Sequence, residues 1–166
     1  MQIHRYITAD IVVKVRRFKK AVVIYGPRQV GKTTLCKEVL KQLNLKTLFI
    51  NADEKRHIDA LSSRDERTLR ELVEGYDLLF IDEAQRIPNI GINLKILIDR
   101  APKLKIIATG SSSFELANTI SEPLTGRKWV FQLFPISQLE LQAYYNTFEL
   151  KSQLESMQAE NSRIAE

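Results

Sequence analysis

The chain has few of the residues that build covalent staples or metal cages. Its 166 residues include one cysteine, Cys36, and two histidines, His4 and His57. One cysteine excludes an internal disulfide scaffold and fits a reducing, cytoplasmic compartment. So small a set of soft ligands leaves little from which to build a zinc site. No apolar run approaches the roughly 18 residues that a membrane-spanning helix needs. The opening residues, MQIHR, lack the apolar stretch of a secretion signal. Internal repeats and glycine-serine linkers are also missing, so nothing marks the chain as an array of modules. Neither sign of charge dominates: 25 Lys and Arg face 20 Asp and Glu, for a net charge of +5. That balance suits a phosphate-bearing ligand and permits nucleic-acid contact without demanding either.

What is present is enough for one globular domain. Apolar residues make up 44% of the chain, close to the usual value for a packed core. Short apolar runs alternate with helical periodicity. Ile7, Ile11, Val12, Val15 and Phe18 predict an amphipathic helix over about 9–18. Residues 21–25, 47–51, 78–81, 105–109 and 128–133 read as five strands. Leu35, Val39, Leu40 and Leu43 predict a helix over 33–43. Ser62 and Asp65 have capping-box spacing for a helix running to about residue 74. Leu94, Leu97 and Ile98 mark a further helix, and 111–118 reads as a turn and short helix. Ser137 and Glu140 form a second capping box, opening a helix that carries Leu141, Tyr144, Tyr145 and Phe148. Residues 151–166 are polar and read as a frayed helix or a disordered end. Strands apolar on both sides belong in a parallel sheet covered by helices on both faces.

The first strand runs into YGPRQVGKTT at residues 25–34. Gly26, Gly31, Lys32 and Thr33 match the spacing of a phosphate-binding loop, with the required strand before and helix after. Gly26, Pro27, Arg28, Gln29, Val30 and Gly31 form the loop, whose backbone N–H groups, lacking only at Pro27, make an anion nest. The helix N-terminus adds its own unpaired donors. Lys32 suits the β and γ phosphates, Thr33 a Mg²⁺ ion, and Thr34 the α phosphate. Arg28 is expected to point outward.

The third strand ends in Asp82 and Glu83. In a parallel sheet, ligands gather at the carboxyl ends of the strands. Asp82 is therefore a candidate Mg²⁺ ligand, and Glu83 a candidate base for an attacking water. The bland reading of Glu83 is a helix cap or salt-bridge partner. Gln85 is a further candidate for orienting water, and Arg86 reads as a surface or interface residue. If the fourth strand lies beside the first, Thr109 and Ser111 end near the γ phosphate. Alternatively, those hydroxyls cap the next helix. Arg127 could stabilise charge on a transferring phosphoryl, in its own chain or a neighbour's, or simply form a salt bridge. Lys14, Arg16, Arg17, Lys19 and Lys20 form a basic cluster, read as a solvated helix face or as a surface for nucleic acid or an acidic partner. Cys36 reads as a buried helix residue.

Four ordered motifs carry a family resemblance: GPRQVGKTTL at 26–35, LLFIDEAQRIPN at 78–89, KIIATGSSSFEL at 105–116 and LTGRKWVFQLFPIS at 124–137. Together they resemble the AAA-like P-loop ATPases of archaea and bacteria that carry a C-terminal domain of unknown function. The likeness covers about residues 4–148. It implies a P-loop NTPase αβα sandwich with a mainly parallel five-stranded sheet of order 5-1-4-3-2. It implies ATP or ADP with Mg²⁺ as ligands, and ATP hydrolysis as the activity. By the same likeness, the roles fall on Lys32 and Thr33, then Asp82 and Glu83, then Thr109 or Ser111. Arg127 lies in the TGR segment of the pattern, and Tyr6 or Arg5 borders the adenine. Proteins of this type continue into a winged-helix-like region and a further domain. This chain stops at Glu166, so 1–150 reads as the ATPase domain and 151–166 as a tail or a stub of that connection. A homo-oligomer and a nucleic-acid or protein partner are both compatible with the likeness. No N-K-x-D-like segment selects guanine, and a small-molecule kinase has no use for the Asp82–Glu83 pair.

Overall fold

The computed structural model describes residues 3–111 and 123–164. They fall into two compact units, residues 7–134 and residues 1–6 with 135–166.

The larger unit is built on five strands: β1 (Ala21–Tyr25), β2 (Thr47–Asn51), β3 (Leu78–Asp82), β4 (Lys105–Gly110) and β5 (Lys128–Gln132). They form one sheet in the order β2-β3-β4-β1-β5, with every pairing parallel. Read from the other edge, this is the expected 5-1-4-3-2. The central strands are nearly or wholly buried, whereas the edge strands β2 and β5 are more exposed. This explains why the central segments read as continuous apolar runs: both of their faces are covered.

Successive residues on a strand point to opposite faces. Val22 and Ile24 of β1, Leu78 and Phe80 of β3, and Ile107 of β4 therefore share one face. They pack with Ile11, Val12 and Val15 of α1 (Ile7–Arg17) and with Leu35, Cys36 and Val39 of α2 (Lys32–Leu43). Ala21, Val23, Leu79, Ile81, Ile106 and Ala108 share the other face. They pack with residues of α3 (Ile58–Ser62), α4 (Glu66–Val73) and α5 (Ile90–Arg100), including Leu61, Leu69, Leu94 and Leu97. Helices on both faces make this unit a three-layer αβα sandwich. Parallel neighbours need long crossovers, and the intervening helices supply them.

Local signals explain most of the boundaries, with two corrections. The cap of α4 is Asp65, which accepts a hydrogen bond from the Thr68 N–H at 2.7 Å. Ser62 instead closes α3, a turn that its polar sequence had hidden. The helix read from Leu94 starts earlier, at Ile90, behind Asn89 in the left-handed region. The expected turn and helix at 111–118 lies outside the described residues beyond Ser111.

In the smaller unit, the Ser137 and Glu140 capping box is formed. The Ser137 N–H donates to Oε2 of Glu140 at 2.9 Å, and the Glu140 N–H donates to the Ser137 hydroxyl at 3.2 Å. The same carboxylate accepts from Nε of Arg5 at 3.0 Å and from the Tyr6 N–H at 3.2 Å. Burial pushes the Glu140 carboxyl up. The bonds from Ser137, Arg5 and Tyr6 outweigh that effect and hold it below the usual carboxylate range. The helix this box opens, α6 (Gln138–Ile164), continues through the polar segment after residue 150. Among the described residues, no helix is long and apolar enough to cross a membrane.

Candidate functional site

β1, β3 and β4 end along one edge of the sheet, and the site is assembled there. After Tyr25 the chain must turn within a confined space. The Leu133 N–H donates to the Tyr25 carbonyl at 2.7 Å, which draws the end of β5 against Gly26. A Cβ at Gly26 would sit closer than 3.0 Å to the Leu133 carbonyl oxygen. Glycine is thus required there by a neighbouring strand, a reason the motif alone does not reveal. The loop then passes through Gln29 and Gly31 at positive φ, 61° and 93°. Gly31 caps α2 through its backbone, its carbonyl accepting from the Leu35 N–H at 2.9 Å, and it has no side chain to bond the helix N-terminus. The first N–H groups of α2 are therefore left to face an anion. The Val30 side chain packs against the core, so only its backbone can serve the loop.

Lys32 is buried, and its ammonium donates to the carbonyls of Gly26 at 2.9 Å and Pro27 at 2.8 Å. A buried ammonium needs acceptors. The loop provides them across its own mouth, placing a positive charge at its centre.

Asp82 ties three elements together. Its Oδ2 accepts from the Thr33 hydroxyl at 2.9 Å, and its Oδ1 accepts from the Thr109 hydroxyl. Thr109 is fully buried and in turn accepts from the Glu83 N–H at 3.2 Å. This follows from the register, in which Thr109 stands beside Ile24 and β4 separates β1 from β3. Glu83 has a φ of 54°, a left-handed conformation costly for a residue with a side chain. It starts a short 3₁₀ turn, Ala84–Arg86, that brings Gln85 back toward it. Nε2 of Gln85 donates to Oε2 of Glu83 at 2.5 Å and to the Ser111 hydroxyl at 3.1 Å. Oε1 of Gln85 is buried and has no partner among the described residues.

A cavity of about 510 Å³ opens over this edge, lined by Arg28, Gln29, Gly31, Lys32, Thr33, Thr34, Asp53, Glu83 and Arg86. Seven of these nine were candidates from the loop and acidic-pair patterns, and Arg28 lines the cavity while remaining exposed. Asp53 and Arg86 were not recognised as cavity residues, yet they meet in an ion pair on its wall. The pairing depends on β2 lying beside β3, which no local pattern encodes. Among the described residues, no cluster of three or more His, Cys, Asp or Glu could hold a metal. The donors that suit a cation are the Thr33 hydroxyl and the Asp82 carboxylate. Such hard oxygens fit Mg²⁺, which takes few protein ligands and completes its shell from phosphate and water.

Arg127 is not brought to this cavity. Its carbonyl accepts from the Ala21 N–H, at the start of β1 rather than its end. Four strand residues, roughly 13 Å, separate that level from the loop. Its guanidinium pairs with Asp99 at 2.9 Å, so the salt-bridge alternative describes its placement. Cys36 is buried, and burial pushes its thiol up, assisted by Asp82 and opposed by Lys32.

A parallel sheet of this order, with a glycine loop running from a central strand into a helix and an acidic pair two strands away, defines the P-loop ATPase fold. The chain belongs to a family of AAA domains, whose model matches residues 18–142. Its nucleotide-binding, ATPase-like character rests on that membership. Uncharacterized proteins of Mycobacterium bovis and Mycobacterium tuberculosis are each 36% identical over 113 residues, 68% of this chain and 24% of their own length. An uncharacterized protein of Methanocaldococcus jannaschii is 29% identical, covering 87% of this chain and 32% of its own. The chain thus spans a quarter to a third of the relatives it matches. Two solved structures share the fold. A Walker-type ATPase of Pyrococcus abyssi superposes with a TM-score of 0.60 at 19% identity, over 84% of this chain and 55% of that one. PCH-2 of C. elegans gives a TM-score of 0.54 at 18% identity, over 78% and 42%.

Proposed function

We propose that this domain binds Mg-ATP over the carboxyl edge of its sheet and hydrolyses it to ADP and phosphate. The observation that carries the reading is Asp82, whose carboxylate joins the hydroxyls of Thr33 and Thr109 one residue before Glu83. The loop amides of residues 28–31 and the first N–H groups of α2 hold the phosphates, with Thr34 nearest the α phosphate. Lys32 exchanges the Gly26 and Pro27 carbonyls for β and γ oxygens. Thr33 and Asp82 would hold Mg²⁺, which would supply charge neutralisation at the phosphates. Glu83 orients a water and takes its proton as the water oxygen attacks the γ phosphorus. The bond to the ADP oxygen breaks in the same displacement. Thr109 fixes the Glu83 backbone. Gln85, bridging to Ser111, fixes its carboxylate and offers its spare oxygen to the water. Arg127 contributes only to a neighbouring copy's site, in a homo-oligomer and after leaving Asp99. The activity belongs to a cytoplasmic ATPase domain, residues 1–150.

Phosphate release measured with and without Mg²⁺ tests the reading. Glu83→Gln is expected to lower turnover by on the order of 10²–10⁴ with nucleotide still bound. Unchanged turnover in that variant refutes the role of Glu83.

A second reading is a nucleotide-responsive binding module with little hydrolysis, motivated by the cluster from Lys14 to Lys20. Several of those cations are already engaged. Lys14 and Lys20 lie 3.9 Å and 5.1 Å from the Trp129 ring centroid, and Arg16 donates to the Gln42 carbonyl. The ATPase reading is therefore preferred. Salt-dependent retention on DNA that vanishes when these cations are neutralised would favour the second.

A further inference from the structure

The pair on the cavity wall carries an inference that rests on the nucleotide site just proposed. Arg86 lines the same cavity as Lys32, Thr33, Thr34 and Glu83. It ends the 3₁₀ turn that begins at Glu83, with its N–H bonded to the Glu83 carbonyl at 3.0 Å. Its guanidinium is held by Asp53 alone among the described carboxylates, and both side chains are close to half exposed, at 46% and 47%. The cavity lining carries three cations, Arg28, Lys32 and Arg86, and two acids, Asp53 and Glu83. A nucleotide triphosphate entering it brings more negative charge than Asp53 offers. It also brings a multi-oxygen acceptor that the planar fork of a guanidinium bonds with two N–H groups at once.

We propose that Arg86 is a phosphate-binding residue that exchanges Asp53 for the terminal phosphate of a bound nucleoside triphosphate, so that the Asp53–Arg86 pair opposes binding. The magnitudes favour the exchange. An ion pair this exposed is worth at most about fivefold in an equilibrium constant. A charged hydrogen bond to phosphate, shielded in a filled cavity, is worth about tenfold or more. The residue also sits where such an exchange has a consequence. Arg86, Gln85 and Glu83 share one turn, so a guanidinium drawn to the terminal phosphate steadies the segment that carries the proposed base. ADP lacks the group that Arg86 reaches, so the domain discriminates between the two nucleotides through this residue.

The test is calorimetric titration of the chain with Mg-ATP and Mg-ADP. Arg86→Gln is expected to weaken Mg-ATP about tenfold and Mg-ADP little. Asp53→Asn is expected to tighten Mg-ATP by about two- to fivefold, a gain that disappears in the double variant. These opposite signs separate the exchange from a structural pair, whose loss moves both variants the same way. Both side chains are half exposed, and thermal melts check that the variants fold. An unchanged ratio of ATP to ADP affinity in Arg86→Gln overturns the proposal, as does weakened ATP binding in Asp53→Asn. Lys32→Ala serves as the reference. If it loses Mg-ATP while Arg86→Gln keeps the ratio, only the role of Arg86 fails. If Lys32→Ala binds like wild type, the nucleotide site fails and the exchange with it.

Discussion

Replacing Thr109 with valine isolates the contribution of one hydroxyl to the acidic centre. The side chain is fully buried, and valine matches its shape. The hydroxyl donates to the Asp82 carboxylate and accepts from the Glu83 N–H at 3.2 Å. A hydrogen bond to a charged group contributes about 1.5–3 kcal/mol, and a neutral one about 0.5–1.5. Asp82 is only partly buried and recovers some hydration, so the expected net loss is about 2–4 kcal/mol. For a chain of this size that corresponds to a fall in melting temperature of roughly 4–16 °C. Urea unfolding is the primary assay, because a lower midpoint at constant slope reads stability directly. Thr109→Ser restores the hydroxyl and removes a methyl, and it should recover most of the loss. Phosphate release should fall in the valine variant and return in the serine variant, because the Glu83 backbone loses and regains its anchor. A valine variant as stable as wild type, with serine the weaker of the two, would mean that packing rather than hydrogen bonding governs this position. The role given to Thr109 would then be wrong.

Two further outcomes follow from the same geometry. Gly26→Ala should destabilise the chain by about 1–3 kcal/mol, since its Cβ meets a backbone carbonyl that cannot rotate away. A urea midpoint equal to wild type would show that β5 yields freely at Leu133. Glu140→Gln should be less stable than wild type at pH 7. The folded-state pKa of Glu140 lies below its ordinary value of 4.5, so this advantage is complete above that value. It is lost as the pH falls through the folded-state pKa. Urea titrations at pH 7 and pH 3 check it, and a gap that widens in acid contradicts the assignment.

The fold was legible because its signals are local and redundant. Leu78, Leu79, Phe80 and Ile81 are apolar in a row because both faces of β3 are covered. That same pattern announces a parallel sheet before any pairing is known. The loop was legible because Gly31, Lys32 and Thr33 must follow one another at fixed spacing. What escaped detection depends on contacts distant in sequence. Arg86 looked like a surface residue until β2 brought Asp53 beside it. Arg127 could be read as a phosphoryl-stabilising residue or a salt-bridge partner, and only the pairing of β5 with β1 puts it at the end of the sheet away from the loop. The need for glycine at position 26 lies in the Leu133 carbonyl, more than a hundred residues away. Ser62 and Asp65 had capping-box spacing, and only the placement of α3 decides which of them caps α4.

The measurement that bears most directly on the central claim is calorimetric titration of wild-type chain and Lys32→Ala with Mg-ATP. The Lys32 ammonium is buried at the centre of the loop on two carbonyls that phosphate oxygens can replace. Its removal should therefore weaken binding by about a hundredfold, the scale of a charge-assisted contact of 2–3 kcal/mol. Equal affinity in the two proteins would contradict the account at its root, because the nucleotide would then be held somewhere other than this loop.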